Sequence, residues 1–167
     1  PAISLNVCLS RLMDNSIVYE MTEAAYAGRI TLELIETVFL EEDNSAVFER
    51  LDCLRDLGVS LEVDNFGSGR ASIVGLRRVA PDFLKIDHRL IEPVTTSESA
   101  GRLVGSIVEI GGALDIAVSA VGVKTAAHFE MIKRLGCTRA QGAYFYQPGA
   151  LAEVCPLTDE NVMRRFG

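Results

Sequence analysis

Asn6, Glu33, Glu36, Asp64, Asn65, Lys85, Asp87 and Gln141 attract attention because each polar side chain falls in or at the end of a short apolar run. Two or three carboxylates with amide oxygens form a hard donor set, suited to Mg²⁺ or Mn²⁺ and poorly matched to metals that seek thiolates. Glu33 lies inside Thr31-Leu32-Glu33-Leu34-Ile35, and Lys85 inside Phe83-Leu84-Lys85-Ile86-Asp87. A strand buried on both faces normally carries Val, Ile or Leu, so each of these charges needs a partner. Two arrangements supply one: a metal ion, or a buried Glu33–Lys85 ion pair with Asp64 and Asn65 in capping roles. Asp87 has a plain alternative as the cap of a following helix. His88 and His128 have no third ligand at a useful spacing and read as structural. Lys85 as a Schiff-base nucleophile is a third chemistry, disfavoured by its Leu-Lys-Ile-Asp setting.

The elements that must position these residues alternate. Six strands are predicted, at Ser4–Leu9, Ile30–Glu36, Ser60–Phe66, Phe83–Asp87, Ile116–Val121 and Arg139–Gly142. Between them the apolar period lengthens to that of helices, near Asn15–Tyr26, Ser45–Leu57, Ser72–Val79, Arg102–Ala113 and Ala126–Leu135. Strands that alternate with helices imply a parallel sheet with right-handed crossovers. Asn44-Ser45 suits a helix start, while Gly58 and Gly136 follow helical runs where a left-handed cap is wanted. Gly67-Ser68-Gly69 reads as a tight strand-to-helix turn, since a P-loop would need a Lys-Ser/Thr that is missing. The fold class is therefore α/β, a TIM-like (βα) barrel. An eight-stranded barrel takes about 250 residues, so about six of eight units are present here. The expected domain runs over 1–167, with 151–167 a terminal tail or helix. A preceding segment or a partner chain, such as a second copy in a homodimer, is expected to close the barrel, because an open edge invites aggregation.

A chain of 167 residues that is 49% hydrophobic can bury one sizeable core. Its net charge of -7 excludes a nonspecific DNA or RNA binder and a membrane-surface binder, which need clustered Lys and Arg. No apolar run approaches the length of a membrane span, so no membrane contact by this domain is expected. Cys8, Cys53, Cys137 and Cys155 show no CxxC spacing and read as reduced, buried thiols of a cytoplasmic protein.

The ordered motifs resemble the EAL family of bacterial cyclic-di-GMP phosphodiesterases over nearly the whole chain. Ser4-Leu5-Asn6-Val7-Cys8-Leu9-Ser10 looks like the family strand that bears a metal-ligating Asn. Leu32-Glu33-Leu34-Ile35-Glu36-Thr37 resembles the next strand, with a ligand Glu and a loop-bracing Glu. Asp64-Asn65-Phe66-Gly67-Ser68-Gly69 is similar to Asp-Asp-Phe-Gly-Thr-Gly, and Pro81-Asp82-Phe83-Leu84-Lys85-Ile86-Asp87 to the Lys-Ile-Asp strand. Ala120-Val121-Gly122-Val123-Lys124-Thr125 stands where the family has Ala-Glu-Gly-Val-Glu-Thr. Leu135-Gly136-Cys137, Gln141-Gly142 and Pro148 resemble its C-terminal signature. The family's name-giving Glu-Ala-Leu segment would fall before Pro1.

What the resemblance implies is a site for Mg or Mn, with Asn6, Glu33 and Asp64 on one ion and Asp64 with position 65 on another. Lys85 would steady the attacking water and the phosphate charge. Gln141, Asp87 and Pro148 would belong to the nucleotide pocket. Three departures weaken this picture. Asn65 replaces an Asp, Val121 occupies the general-base position, and Lys124 reverses the sign of a Glu and is expected to pair with Glu36. Hydrolysis through two metals needs both ions and a base-held water, so at most one ion and no meaningful turnover are expected. The function expected is a degenerate EAL domain acting as a cyclic-di-GMP receptor or regulatory module in bacterial signalling. The alternatives are a protein-interaction scaffold without nucleotide, and a residual phosphodiesterase releasing pGpG.

Overall fold

The computed structural model describes residues 3–23, 27–35, 45–68 and 72–146. Six strands form one sheet: β1 (Ile3–Val7), β2 (Ile30–Leu34), β3 (Ser60–Phe66), β4 (Phe83–Ile86), β5 (Ala117–Val121) and β6 (Arg139–Gln141). They lie in the order β1-β2-β3-β4-β5-β6, each pair parallel. The crossovers carry α1 (Leu9–Leu12), α2 (Asn15–Glu23), α3 (Ser45–Asp56), α4 (Ile73–Val79), α5 (His88–Ile91), α6 (Glu98–Ala113) and α7 (Ala126–Arg134). Sequential neighbours in a parallel sheet, each returned by a helix, give a curled half-barrel of the TIM type.

Every predicted strand is present, with its ends shifted by two residues at most. α6 opens four residues before the expected Arg102, because the Ser97 hydroxyl caps it by accepting from the Ala100 amide at 3.3 Å. α1, α5 and the 3₁₀ turns Ala27–Arg29 and Glu92–Thr95 were not predicted, being too short to show a helical period. Gly58 and Gly136 do stand at positive φ, +86° and +91°, as their cap positions require.

The strands do not carry apolar residues on both faces, as parallel strands ordinarily do. Because side chains alternate across a strand, the two faces separate by chemistry. Leu32, Leu34, Leu61, Val63, Leu84, Ile86, Val118 and Ala120 are all buried and form the outer, helix-facing rows. Thr31, Glu33, Glu62, Lys85 and Ser119 are also buried, on the opposite, inner face. The hydrophobic core therefore lies between sheet and helices, which leaves the lumen free to be polar.

α6 shows how closely that outer layer packs. Its buried positions Gly101, Val104, Ile107 and Gly111 follow the helical period. A Cβ on Gly111 would stand 2.4 Å from Val118 Cγ2 and 3.0 Å from the Ile116 carbonyl oxygen, so only glycine admits this approach to β5.

The cysteines depart from expectation. Cys8 and Cys53 are exposed free thiols, since Cys8 lies at the end of β1 and Cys53 on the outer side of α3. Cys137 is half-buried, and desolvation pushes its thiol up to about 11. Cys155, Glu36, Gly69, Arg70, Pro148 and the 151–167 tail lie outside the described residues. No described helix is long and apolar enough to cross a membrane.

Leu84 is fully buried at the centre of the outer row. Leu84→Ala should destabilise the protein by about 2–5 kcal/mol in urea unfolding. A loss well under that range would mean that the outer row is not a close-packed core.

Candidate functional site

The site is built by register. Asn6 of β1 is paired with Glu33 of β2, and Glu33 with Glu62 of β3. Paired residues of parallel strands point to the same face, so these three side chains share one level of the lumen. Between Val63 and Phe66 the β3–β4 register shifts. The slip coincides with Asn65 at φ +57°, a left-handed conformation that Asn tolerates better than most residues. On β4 and β5, Lys85 pairs with Ser119, Ser119 with Arg139, and Val121 with Gln141.

Lys85 is the hub of this face. Its Nζ lies 2.5 Å from Glu33 Oε1 and 3.5 Å from Glu62 Oε2, and all three side chains are nearly solvent-free. Glu62 has only 3% of its side chain exposed. Burial pushes its carboxyl above the usual carboxylate range; Lys85 opposes the rise and Glu33 adds to it. Asp64, at the rim, is raised for the same first reason, again with Lys85 opposing and Glu33 adding. Asn65 Nδ2 donates to Asp64 Oδ2 at 2.6 Å. Deeper in the lumen, the Arg139 guanidinium sits 3.5 Å over the Phe83 ring, a cation–π contact across the small Ala117.

Of the two arrangements open for Glu33 and Lys85, the structure contains the ion pair. It joins Glu33, Asp64, Asn65 and Lys85 around the ends of β2, β3 and β4, with Asn6 in register beside Glu33. Asn6 and Gln141 are exposed. The Gln141 carbonyl accepts from Gly122 N at 2.9 Å and Val123 N at 3.1 Å, which ties the end of β6 to the loop after β5. A Cβ on Gly142 would fall 2.2 Å from the Val123 carbonyl oxygen, so this tie requires glycine.

Asp87 caps α5 by accepting from Arg89 N at 2.8 Å, and the Arg89 guanidinium binds both of its oxygens. Those hydrogen bonds hold its carboxyl below the usual range. His128 is structural: Nε2 meets the Glu92 carbonyl at 3.1 Å, and Nδ1 meets Thr125 Oγ1 at 2.9 Å. His88 is exposed beside Asp87.

Lys124 has a partner among the described residues. Its Nζ donates to Glu92 Oε1 at 2.7 Å, while Glu36 lies outside those residues. The reason is the 3₁₀ turn Glu92–Thr95, which the His128 bond holds beside the loop before α7.

Sequence reasoning missed Glu62. Its one available signal was a carboxylate two residues before Asp64, at the inward phase of the same strand, in Ser60-Leu61-Glu62-Val63-Asp64.

The profile of the EAL domain matches residues 1–148. The chain belongs to the EAL domain family. The EAL chain is 31% identical over 169 residues to the oxygen sensor protein DosP of Escherichia coli, covering 94% of this chain and 21% of that protein. It is 30% identical to the cyclic di-GMP phosphodiesterase NbdA of Pseudomonas aeruginosa, over 90% of this chain and 20% of the other. The EAL chain thus spans about a fifth of the length of these curated relatives. Among solved structures it resembles the PaMucR phosphodiesterase in complex with c-di-GMP, with TM-score 0.81 and 27% identity over 92% of this chain and 70% of that one. It also resembles Klebsiella pneumoniae BlrP1 in its manganese and cy-diGMP complex, with TM-score 0.75 and 26% identity over 84% and 37% of the two chains.

Manganese in a family structure makes it necessary to ask whether this donor set fits such ions. The donors described for it are two carboxylates, Glu33 and Asp64, and two amides, Asn6 and Asn65. Among the described residues, no three His, Cys, Asp or Glu side chains converge as a metal site. Glu33 is held by Lys85, and Asp64 by the Asn65 amide.

The raised Glu62 carboxyl sets a pH dependence. The folded protein binds this proton more tightly than the unfolded chain, whose glutamates titrate near about 4.3. The protonated form therefore contributes stability that is complete below that value and is lost as pH rises through the folded one. Glu62→Gln should flatten this fall: equal to the parent near pH 4, and at least as stable near pH 8, in urea unfolding across that range. Parent stability that rises relative to the variant with pH would contradict the assignment.

Proposed function

We propose that this EAL domain binds cyclic di-GMP without hydrolysing it, and serves as a receptor or regulatory module in second-messenger signalling. The observation that carries the proposal is at the end of β5. Val121, paired with Gln141 at the rim, stands at the general-base position and can neither accept a proton nor orient a water. Three residues on, the Lys124 ammonium is drawn away to Glu92. Loss of one preorganised polar group typically lowers a rate by about 10² to 10³, and here Asn65 and Lys124 add to the loss.

Binding makes different demands. The lumen keeps Lys85 and Arg139 as cationic groups and Gln141 as an exposed amide, and the polar inner face is accessible from the strand ends where barrels take their ligands. Support for the nucleotide comes from the cyclic-di-GMP complex of the structural relative, whose fold this chain shares over nearly all its length.

One observation favours a scaffold without nucleotide. The Lys124–Glu92 pair, the His128–Glu92 bond and the Gln141 carbonyl together fasten the loop after β5 on two sides.

A calorimetric titration with cyclic di-GMP in EDTA should give saturable heat at micromolar or tighter affinity, roughly -8 kcal/mol or better. Incubation with cyclic di-GMP and Mn²⁺ should release no pGpG. Heat without product supports the receptor. No heat selects the scaffold, and product that disappears on Glu33→Ala would show a working phosphodiesterase.

A further inference from the structure

A phosphodiester bound at the strand ends places an anion at the rim, above the level of Lys85 and Arg139. We propose that Arg89, braced on Asp87 just past the end of β4, is the residue that takes a ligand phosphate at the mouth of the half-barrel. The inference rests on the receptor reading and adds to it the group that selects for a phosphate-bearing ligand.

The position comes first. Asp87 continues the inward phase of Lys85 beyond β4, and its charge is felt by the Asp64 carboxyl near the end of β3. A guanidinium seated on Asp87 therefore stands over the ends of β3 and β4. The geometry of that seat is specific. Arg89 Nε lies 3.0 Å from Asp87 Oδ1 and Nη2 lies 2.6 Å from Oδ2, a fork in which one edge of the guanidinium is held. Arginine carries five N–H donors, so the fork engages two of them and fixes the plane in which the other three point. The Asp87 side chain is 4% exposed and that of Arg89 63%, so the anchor is buried while the cation is presented to solvent.

The turn that carries Arg89 is also wedged in place. A Cβ on Gly67 would fall 2.4 Å from Leu90 Cδ1, and one on Gly122 would fall 2.8 Å from His88 Cβ. The residues on either side of Arg89 thus seat on the loop after β3 and on the loop after β5 at once. Both glycines stand at positive φ, +96° and +86°, which lets those loops come so near. A cation fixed by its backbone and by a buried carboxylate meets an anion with little side-chain freedom left to lose. The two unesterified oxygens of a phosphodiester match the planar donor edge of a guanidinium, which an ammonium does not offer.

The test titrates cyclic di-GMP by calorimetry, in EDTA, into the parent, Arg89→Gln and Arg89→Lys, at low and at high NaCl, with the Tm of each protein measured alongside. Arg89→Gln should weaken binding at least about tenfold at low salt, and its Kd should vary less with salt than that of the parent, because an ion pair to the ligand has gone. Arg89→Lys keeps the charge without the fork, so its affinity should fall between the two while the salt dependence stays that of the parent. Unchanged Kd and salt dependence in Arg89→Gln would overturn the proposal and leave the receptor reading standing. A weakening that follows Tm, with the salt dependence unchanged in Arg89→Gln, marks a residue that only closes the α5 cap and would overturn it too. If Arg89→Gln is poorly folded, Arg89→Lys decides, and a parent-like Kd there counts against the fork. Absence of heat with the parent would overturn this inference together with the receptor reading, so the two failures are told apart.

Discussion

One buried ammonium between two buried carboxylates sets the conditions for the rest of the lumen. Taking Lys85, Glu33 and Glu62 out of water is costly for each charge separately, and becomes tolerable only because β2, β3 and β4 bring them within ion-pair distance. The strand register that does this depends on the outer rows, where Leu32, Leu61, Leu84 and Val118 are buried against the helices. Apolar packing on one face thus holds polar groups together on the other. Leaving any one of the three without its partners would expose an uncompensated buried charge, the most destabilising defect such a site can have.

The same arrangement bears on what an EAL domain of this composition does at its strand ends. A catalytic phosphodiesterase centre needs cations that are brought in from solution and a base that holds water. Here Glu33 has a cationic partner and Asp64 an amide partner from within the chain, and the end of β5 carries the aliphatic Val121. The loop after β5 is further tied down by Glu92 and by the Gln141 carbonyl.

Most of the architecture was legible in the chain, for definite reasons. The change of apolar period between two and about 3.6 marked each strand and the longer helices, and the glycines after helical runs marked their ends. The departures have equally definite causes. One-turn helices such as Leu9–Leu12 and His88–Ile91 are shorter than the period that would reveal them. Ser97-Glu98-Ser99 looked like loop because a cap and a first helical turn are polar by nature. Asn6, Glu33, Asp64, Asn65 and Lys85 were identifiable as strand-end polar residues, and the family motifs then suggested roles for Val121, Lys124 and Gln141.

By itself, then, the sequence determined the alternation of elements, the parallel sheet and the family. These follow from local period and from motif order, which a linear string carries in full. Only the tertiary structure decided the partners. That Lys85 bridges Glu33 and Glu62, that Asn65 turns back onto Asp64, and that Lys124 meets Glu92 are consequences of register, of one slip between β3 and β4, and of a short turn packed beside α7. Apart from the adjacent Asp64 and Asn65, such pairings join residues tens of positions apart. Their energies depend on distance and burial, and neither quantity exists until the sheet has curled.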